Sequence, residues 1–325
     1  MSFEIRKYTQ DFFELWNAFI SKSKNGTFLF HRNFMEYHSD RFIDFSLLVF
    51  KDEKLVAVLP ANIQDDEIYS HQGLTYGGLI VCEKLRTTDF VLIFQEILRF
   101  LDDLNYSHLH IKDIPNFYKT QFSDEIKYLQ FYLDAEILRK DICSVIDLTE
   151  KFYISKSVKR DFNISVNKGH KIDFDGSFEL FWDQILVPNL KHKFQTTPVH
   201  SLNEILFLKK LFPDNIRQIN VFSEDGEILG GTTLFISKNV VHSQYISLNN
   251  KISNQGVLDF LHLSMLEYFK KEKKYFDFGI SNENQGRNIN QGLLFWKEKF
   301  GARSAIQEFY KFEVKRFPKL DQLYL

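Results

Sequence analysis

The chain has 325 residues, 44% of them hydrophobic, and a formal net charge of −2. That length exceeds a typical single domain and supports a large core, so two domains are expected. The near-balance of charge argues against DNA as a partner, and no run approaches the ~18 apolar residues of a membrane span. The opening MSFEIRKYTQ lacks the apolar stretch of a signal peptide, so cytoplasmic residence is expected. Cys82 and Cys143 both sit in apolar surroundings and read as buried thiols rather than a disulfide or a nucleophile. The load of 35 Phe and 14 Tyr reads mainly as core, with some tyrosines free to line a polar pocket.

In chain order, a strand is expected over residues 3–8. A helix over 11–21 follows, with Phe12, Leu15, Trp16 and Phe19 near helical spacing. A second helix covers 32–38. Strands over 44–51 and 54–64 flank the polar turn Lys51-Asp52-Glu53-Lys54. Residues 67–79 form a strand or loop interrupted by glycines. An amphipathic helix covers 89–104, with strands at 108–113 and 142–148. The second half repeats the rhythm. Helices are expected over 178–186 and 201–211, and a hairpin over 216–223 and 228–236 turns at Glu224-Asp225-Gly226-Glu227. A strand covers 240–248, a helix 256–271, a strand 275–280, a short helix 291–299 and a last strand 305–314. The repeated order suggests two copies of one α/β unit, assigned to 1–150 and 151–325. The junction is placed in 151–171, which carries Lys151, Lys156, Lys159, Arg160, Lys168 and Lys171.

No metal motif, Walker loop, dinucleotide fingerprint or nucleophile elbow is present, and no metal is expected. His108 and His110 share one face of a strand, which alone is weak ground for a metal. Four segments carry candidate chemistry. In 70–79, the glycines permit close backbone approach, and His71 and Tyr76 form a candidate proton-transfer pair. In 196–204, Ser201 and Glu204 fit a capping box that would hold His200 just ahead of a helix. In 242–247, simple alternation puts His242, Gln244 and Ile246 on one face and Ser243, Tyr245 and Ser247 on the other. A polar strand face of that kind is costly unless it lines a wet cleft. The stretch 275–283 delivers an aromatic strand into a loop with Asn282, Glu283, Gly286, Arg287 and Asn290, followed by Phe295-Trp296-Lys297-Glu298-Lys299-Phe300-Gly301.

That late block, with Gln244-Tyr245 and the segment 70–79, resembles the GNAT acyltransferase superfamily. More narrowly it is similar to two-domain members related to the peptidoglycan-bridge aminoacyl transferases, and most nearly to nucleotide-sugar N-acyltransferases. The resemblance implies a mixed α/β fold of tandem GNAT-like domains around a central cleft. It implies an acyl-CoA co-substrate, acetyl-CoA or a 3-hydroxyacyl-CoA, along the strand 240–248. Gln244, Ile246, Ser247, Asn254, Gln255, Gly256 and Val257 would contact it, with its pyrophosphate at the turn and helix start around 254–258, although only Gly256 stands where the superfamily has a glycine-rich loop. The implied acceptor is a dTDP-linked aminodeoxysugar for surface polysaccharide, with Tyr76, Arg160, Gln244, Asn282, Arg287 and Asn290 as contacts. Glu283 or His200 would be the general base, with His71 as an alternative, and Tyr245 an acid or oxyanion donor. An aminoacyl-tRNA-dependent transferase and a non-catalytic binding protein are the other readings; the balanced charge disfavours tRNA. A monomer is feasible.

Overall fold

In a computed structural model, the structure describes residues 3–250 and 255–324. The chain divides into two compact units, Met1–Asp141 with Ile306–Leu325, and Ile142–Ala305. The expected division at 150/151 falls later than this one, and it assigns the final strand to the other unit. That strand returns to unit 1 because its apolar Tyr310 and Phe312, with Val314 directly after it, complete the unit 1 core, a non-local pairing that local patterning does not encode.

Unit 1 contains α1 (Phe13–Lys22), α2 (Arg32–Met35), α3 (Thr87–Asp103) and α4 (Glu125–Tyr132). Its strands are β1 (Glu4–Lys7), β2 (Ile43–Asp44), β3 (Leu47–Lys51), β4 (Lys54–Leu59), β5 (Asn62–Gln64), β6 (Glu67–Tyr69), β7 (Ile80–Val81) and β8 (His108–Lys112). Two strands, β9 (Glu136–Asp147) and β17 (Arg303–Glu313), carry the chain across the division between the units. One sheet runs β1-β3-β4-β7 and another β17-β8-β6-β5-β2. The β3–β4 turn is made at Asp52 and Glu53, both left-handed at φ 49° and 60°, as a tight hairpin requires. The single strand expected over 54–64 is two strands in two sheets. Pro60 separates them, because a residue without an N–H cannot continue a ladder. Helix α3 buries Phe90, Phe94, Ile97, Leu98 and Leu101 at helical spacing against Leu47, Val49, Leu109 and Phe312.

Unit 2 contains α5 (Lys156–Asn167), α6 (Phe178–Phe181), α7 (Val187–Phe194), α8 (Leu202–Leu211), α9 (Val257–Phe269) and α10 (Gln291–Glu298). Its strands are β10 (Lys171–Asp173), β11 (Ile216–Phe222), β12 (Ile228–Ile236), β13 (Val240–Leu248), β14 (Tyr275–Ile280), β15 (Asn282–Glu283) and β16 (Asn288–Ile289). The sheet order is β10-β11-β12-β13-β14-β9, antiparallel except for the parallel pair β13–β14. The segment expected to be a junction is mostly α5, which starts at the Ser155 cap and packs on α9. Helix α9 presents Val257, Leu261, Met265 and Phe269 to Leu234, Val241 and Phe276 of the sheet. Where one helix was expected over 178–186, α6 passes through a wide turn at Trp182–Leu186 and continues as α7.

Candidate functional site

The feature that organises unit 2 is a parallel pair that parts. Strands β13 and β14 pair at Val240↔Tyr275, Val241↔Phe276 and His242↔Asp277, and the pairing stops there. Beyond it, among the described residues, β13 makes no ladder pairing to β14, and backbone groups on that side need partners of another kind where water is excluded. On its other side β13 stays paired to β12, with an irregularity. Leu234 opposes Ser243 and Thr233 opposes Tyr245, so Gln244 is an extra residue, a β-bulge. Directly opposed residues share a face. Ser243 therefore joins Leu234 on the side covered by α9, and Tyr245 joins His242 and Asp277 on the opposite side. This corrects the alternation expected from sequence, which put His242 with Gln244 and Tyr245 with Ser243. The Gln244 carboxamide Oε1 is buried without a hydrogen-bond partner among the described residues.

Around the parting lie two polar pairs and a buried lysine. His242 Nδ1 is 2.9 Å from Oδ2 of the buried Asp277. With Nδ1–H donated to the carboxylate, Nε2 is the free, basic nitrogen of the ring. The other oxygen of Asp277 accepts the Gly279 N–H at 2.7 Å. Gly279 is left-handed at φ +74°, and a Cβ there would lie 3.2 Å from His242 Cε1, so glycine makes the room for the ring. The Lys297 Nζ donates to the carbonyls of Gly279 at 2.9 Å and Ile280 at 2.6 Å. Burial lowers the Lys297 pKa to about 8, opposed by the nearby Asp277 carboxylate. Trp296 and Phe300 anchor α10 in an aromatic cluster with Phe278 and His262, which holds Lys297 inward. The second pair is Tyr245 and His200. The Tyr245 hydroxyl accepts the His200 backbone N–H at 3.2 Å and lies 2.7 Å from His200 Nδ1. Desolvation pushes the phenol up to about 12, so it keeps its proton; with Nδ1–H donated by His200, the hydroxyl's own proton is left to donate. His200 is fixed by the capping box it precedes, with Ser201 and Glu204 bonded reciprocally, as the sequence spacing predicts.

The other sequence candidates fall elsewhere. Glu283 is exposed on the small β15–β16 hairpin and accepts a hydrogen bond from Asn290 at 2.8 Å. Asn290 also caps α10, and Asn282 is spent on the Ile142 N–H at 2.6 Å, so both brace the loop. Arg287 is exposed in that loop. Ile246 pairs opposite Thr232, and the Ser247 hydroxyl accepts from Asn189. Gly256 starts α9 in a left-handed conformation, and its missing Cβ makes room for the Asp161 carbonyl of α5. Val257 is buried and Gln255 exposed; Asn254 lies outside the described residues. Arg160 is exposed and paired with Asp161. Burial raises Asp259 in the first turn of α9 to about 6, with Asp161 adding to the effect. Two carboxylates therefore stand where an anion was expected. His71 and Tyr76 belong to unit 1, where Tyr76 is buried and donates to Thr27 at 3.1 Å. His108 and His110 both meet the Glu67 carboxylate. Cys143 is buried and Cys82 half-buried, and neither is in a disulfide.

Sequence reasoning assigned no role to Lys297 and did not find the His242–Asp277 pair. A signal for the lysine existed: Leu293, Trp296 and Phe300 define the apolar stripe of α10, and Lys297 stands on it. For the histidine pair there was none, since its members are 35 positions apart and meet only by strand register.

The fold is shared with solved structures. A search for similar solved structures matches the crystal structure of FemX at TM-score 0.67 and 11% identity, over 98% of this chain and 99% of that one. L-PGS from Bacillus licheniformis matches at TM-score 0.62 and 15% identity, over 98% of each chain. A tandem GNAT protein from the clavulanic acid biosynthesis pathway matches at TM-score 0.50 and 10% identity, over 96% of this chain and 99% of that one. The chain has a tandem GNAT-like fold. At these identities the likeness is one of fold alone. No protein-family profile and no curated protein sequence matches the chain. Among the described residues of this tandem GNAT-like chain, no helix is long and apolar enough to cross a membrane.

Proposed function

We propose that unit 2 transfers an acyl group to a primary amine at the parting of β13 and β14. The observation that carries this reading is the open parallel pair with the His242–Asp277 dyad and the Lys297 ammonium at its apex. An extended acyl carrier fits the unpaired edge of β13 as a strand would. The amine must attack in its neutral form. His242 Nε2 takes the proton as nitrogen adds to the acyl carbon, and Asp277 stabilises the imidazolium. Tyr245 donates to the developing oxyanion; at a pKa of about 12 it would not surrender its proton to a thiolate of pKa ~8.5. Lys297, at about 8, is matched to that thiol, and protonates it as the tetrahedral intermediate collapses to amide and free thiol.

That match favours a thioester donor, and acyl-CoA is the first candidate. Its pyrophosphate is not assigned to the start of α9, where Asp161 and Asp259 stand and the nearby Arg160 is already paired with Asp161. The acceptor comes from the sequence resemblance: a nucleotide-linked aminodeoxysugar, the dTDP-sugar being the first to try. A second reading is an aminoacyl ester carried on tRNA, a donor that needs no pyrophosphate site at the start of α9. It is favoured by the likeness at TM-score 0.53 to part of a putative lysylphosphatidylglycerol synthetase from Agrobacterium fabrum, named for an aminoacylated product.

The test is calorimetry with CoA and a short acyl-CoA panel, with thiol release followed after adding the dTDP-amino-sugar. Binding of CoA with thiol release only when the amine is present supports the first reading. Absence of CoA binding, with transfer from aminoacyl-tRNA to an amine, replaces it with the second. Loss of neither activity in His242→Asn would remove the dyad from the mechanism.

A further inference from the structure

Unit 1 repeats the parting seen in unit 2. Strand β6 pairs parallel with β8 at Glu67↔His108, Ile68↔Leu109 and Tyr69↔His110. The chain then turns away at His71, left-handed at φ +63°, while β8 runs on to Lys112. At that point lies a cavity of about 140 Å³, close to the ~150 Å³ that holds one benzene ring. Leu138 and Phe309 form apolar walls, and the stacked rings of Tyr69 and His110, 4.2 Å apart at 12°, form a flat one.

Two polar groups in this cavity lack the partners their chemistry demands. The Lys112 Nζ donates to the Leu74 carbonyl at 2.5 Å and, at a long 3.5 Å, to that of Gln72, which leaves donor capacity over. It has no carboxylate partner among the described residues. Asp141 is held by Arg139 at 2.7 Å, and Glu67 by His108, His110 and Lys311. A cation withdrawn from water is normally paired. His71 is 4% exposed, and its Nδ1 has no hydrogen-bond partner among the described residues. Burial holds this imidazole neutral, its pKa down at about 3, so one ring nitrogen carries a proton to donate.

We propose that this cavity of unit 1 binds a small aromatic carboxylate, its ring between Phe309 and the Tyr69–His110 pair and its carboxylate on Lys112 Nζ and His71 Nδ1. Ring size follows from the volume, flatness from the stacked wall, and the anion from the two unmatched donors. The site is made of unit 1 residues alone and does not depend on the chemistry proposed for unit 2.

The experiment is calorimetry of the full chain with benzoate and phenylacetate, against benzyl alcohol and acetate as probes lacking the charge or the ring. The expected result is one site for an arylcarboxylate, at least 10-fold tighter than for either control. Lys112→Met weakens it at least 10-fold. Leu138→Trp, made at a position 37% exposed and therefore tolerant, fills the cavity and abolishes it. His242→Asn leaves it unchanged. Circular dichroism and the melting temperature establish that each variant is folded, and Leu138→Trp decides alone if Lys112→Met is not. No arylcarboxylate binding, equal binding of the alcohol, or binding that survives Leu138→Trp overturns the proposal. Loss of binding in His242→Asn overturns its independence from unit 2.

Discussion

Replacing Lys297 by Met tests both the energetics and the chemistry of the parted strands. Burial lowers this group from 10.5 to about 8, which at 1.36 kcal/mol per unit makes holding the ammonium there cost about 3 kcal/mol. Below the folded pKa both the folded and unfolded chains carry the proton, so the cost is present in full. Between about 8 and 10.5 the unfolded chain keeps a proton that the folded chain has lost, and stability rises with pH. The wild type should therefore gain about 2 kcal/mol relative to Lys297→Met between about pH 7 and pH 9.5. Lys112, also lowered to about 8 by burial, is common to both proteins and cancels. The assay is urea denaturation at the two pH values, read by tryptophan fluorescence in chains carrying Trp16→Phe, so that Trp182 and Trp296 of unit 2 give the signal. Acyl transfer should fall ~100-fold or more in the same variant. A stability difference that does not change with pH would mean the ammonium is hydrated, and the match to a thiol would fall with it.

Tyr245→Phe strips two hydrogen bonds from His200 and should cost about 1–3 kcal/mol in denaturation and ~100-fold in kcat; an unchanged kcat removes Tyr245 from the oxyanion. Gly279→Ala puts a Cβ 3.2 Å from His242 Cε1 at a left-handed residue, and should lower activity at least 10-fold. Gly226→Ala, left-handed with nothing within 4 Å, should cost about 1 kcal/mol in denaturation with activity intact; equal activity losses would deny His242 its part. Glu283→Gln should change kcat/KM less than ~3-fold, and a ~100-fold fall would return the role of base to Glu283.

What was legible in the chain was what is local. The amphipathic spacing of Phe90, Phe94, Ile97 and Leu101 defines α3, Asp52-Glu53 marks a hairpin, and Ser201 with Glu204 announces a capped helix that pins His200. Pro60 was visible, but the move between sheets that it makes depends on tertiary pairing. The bulge at Gln244 could not be read from a strand that alternates plausibly in either register. Once it is there, every later side chain of β13 changes face, so the grouping of His242 with Tyr245 was out of reach. Gly256 was read as part of a cofactor contact; its close packing against the Asp161 carbonyl of α5 is something that no residue near it in the chain predicts.

The return of the last strand to unit 1 bears on how the protein is made. Leu109 of β8 pairs with Phe312 of β17, and the whole of unit 2 lies between them in the chain. Synthesis delivers unit 2 complete while unit 1 still lacks one wall of its core. During that interval the β8 edge and the apolar surfaces awaiting Tyr310, Phe312 and Val314 stand uncovered, the condition under which nascent chains associate wrongly. The half of the protein made first is thus the half that finishes last, and its yield in a cell should follow the supply of chaperones that shield exposed strands until β17 has left the ribosome.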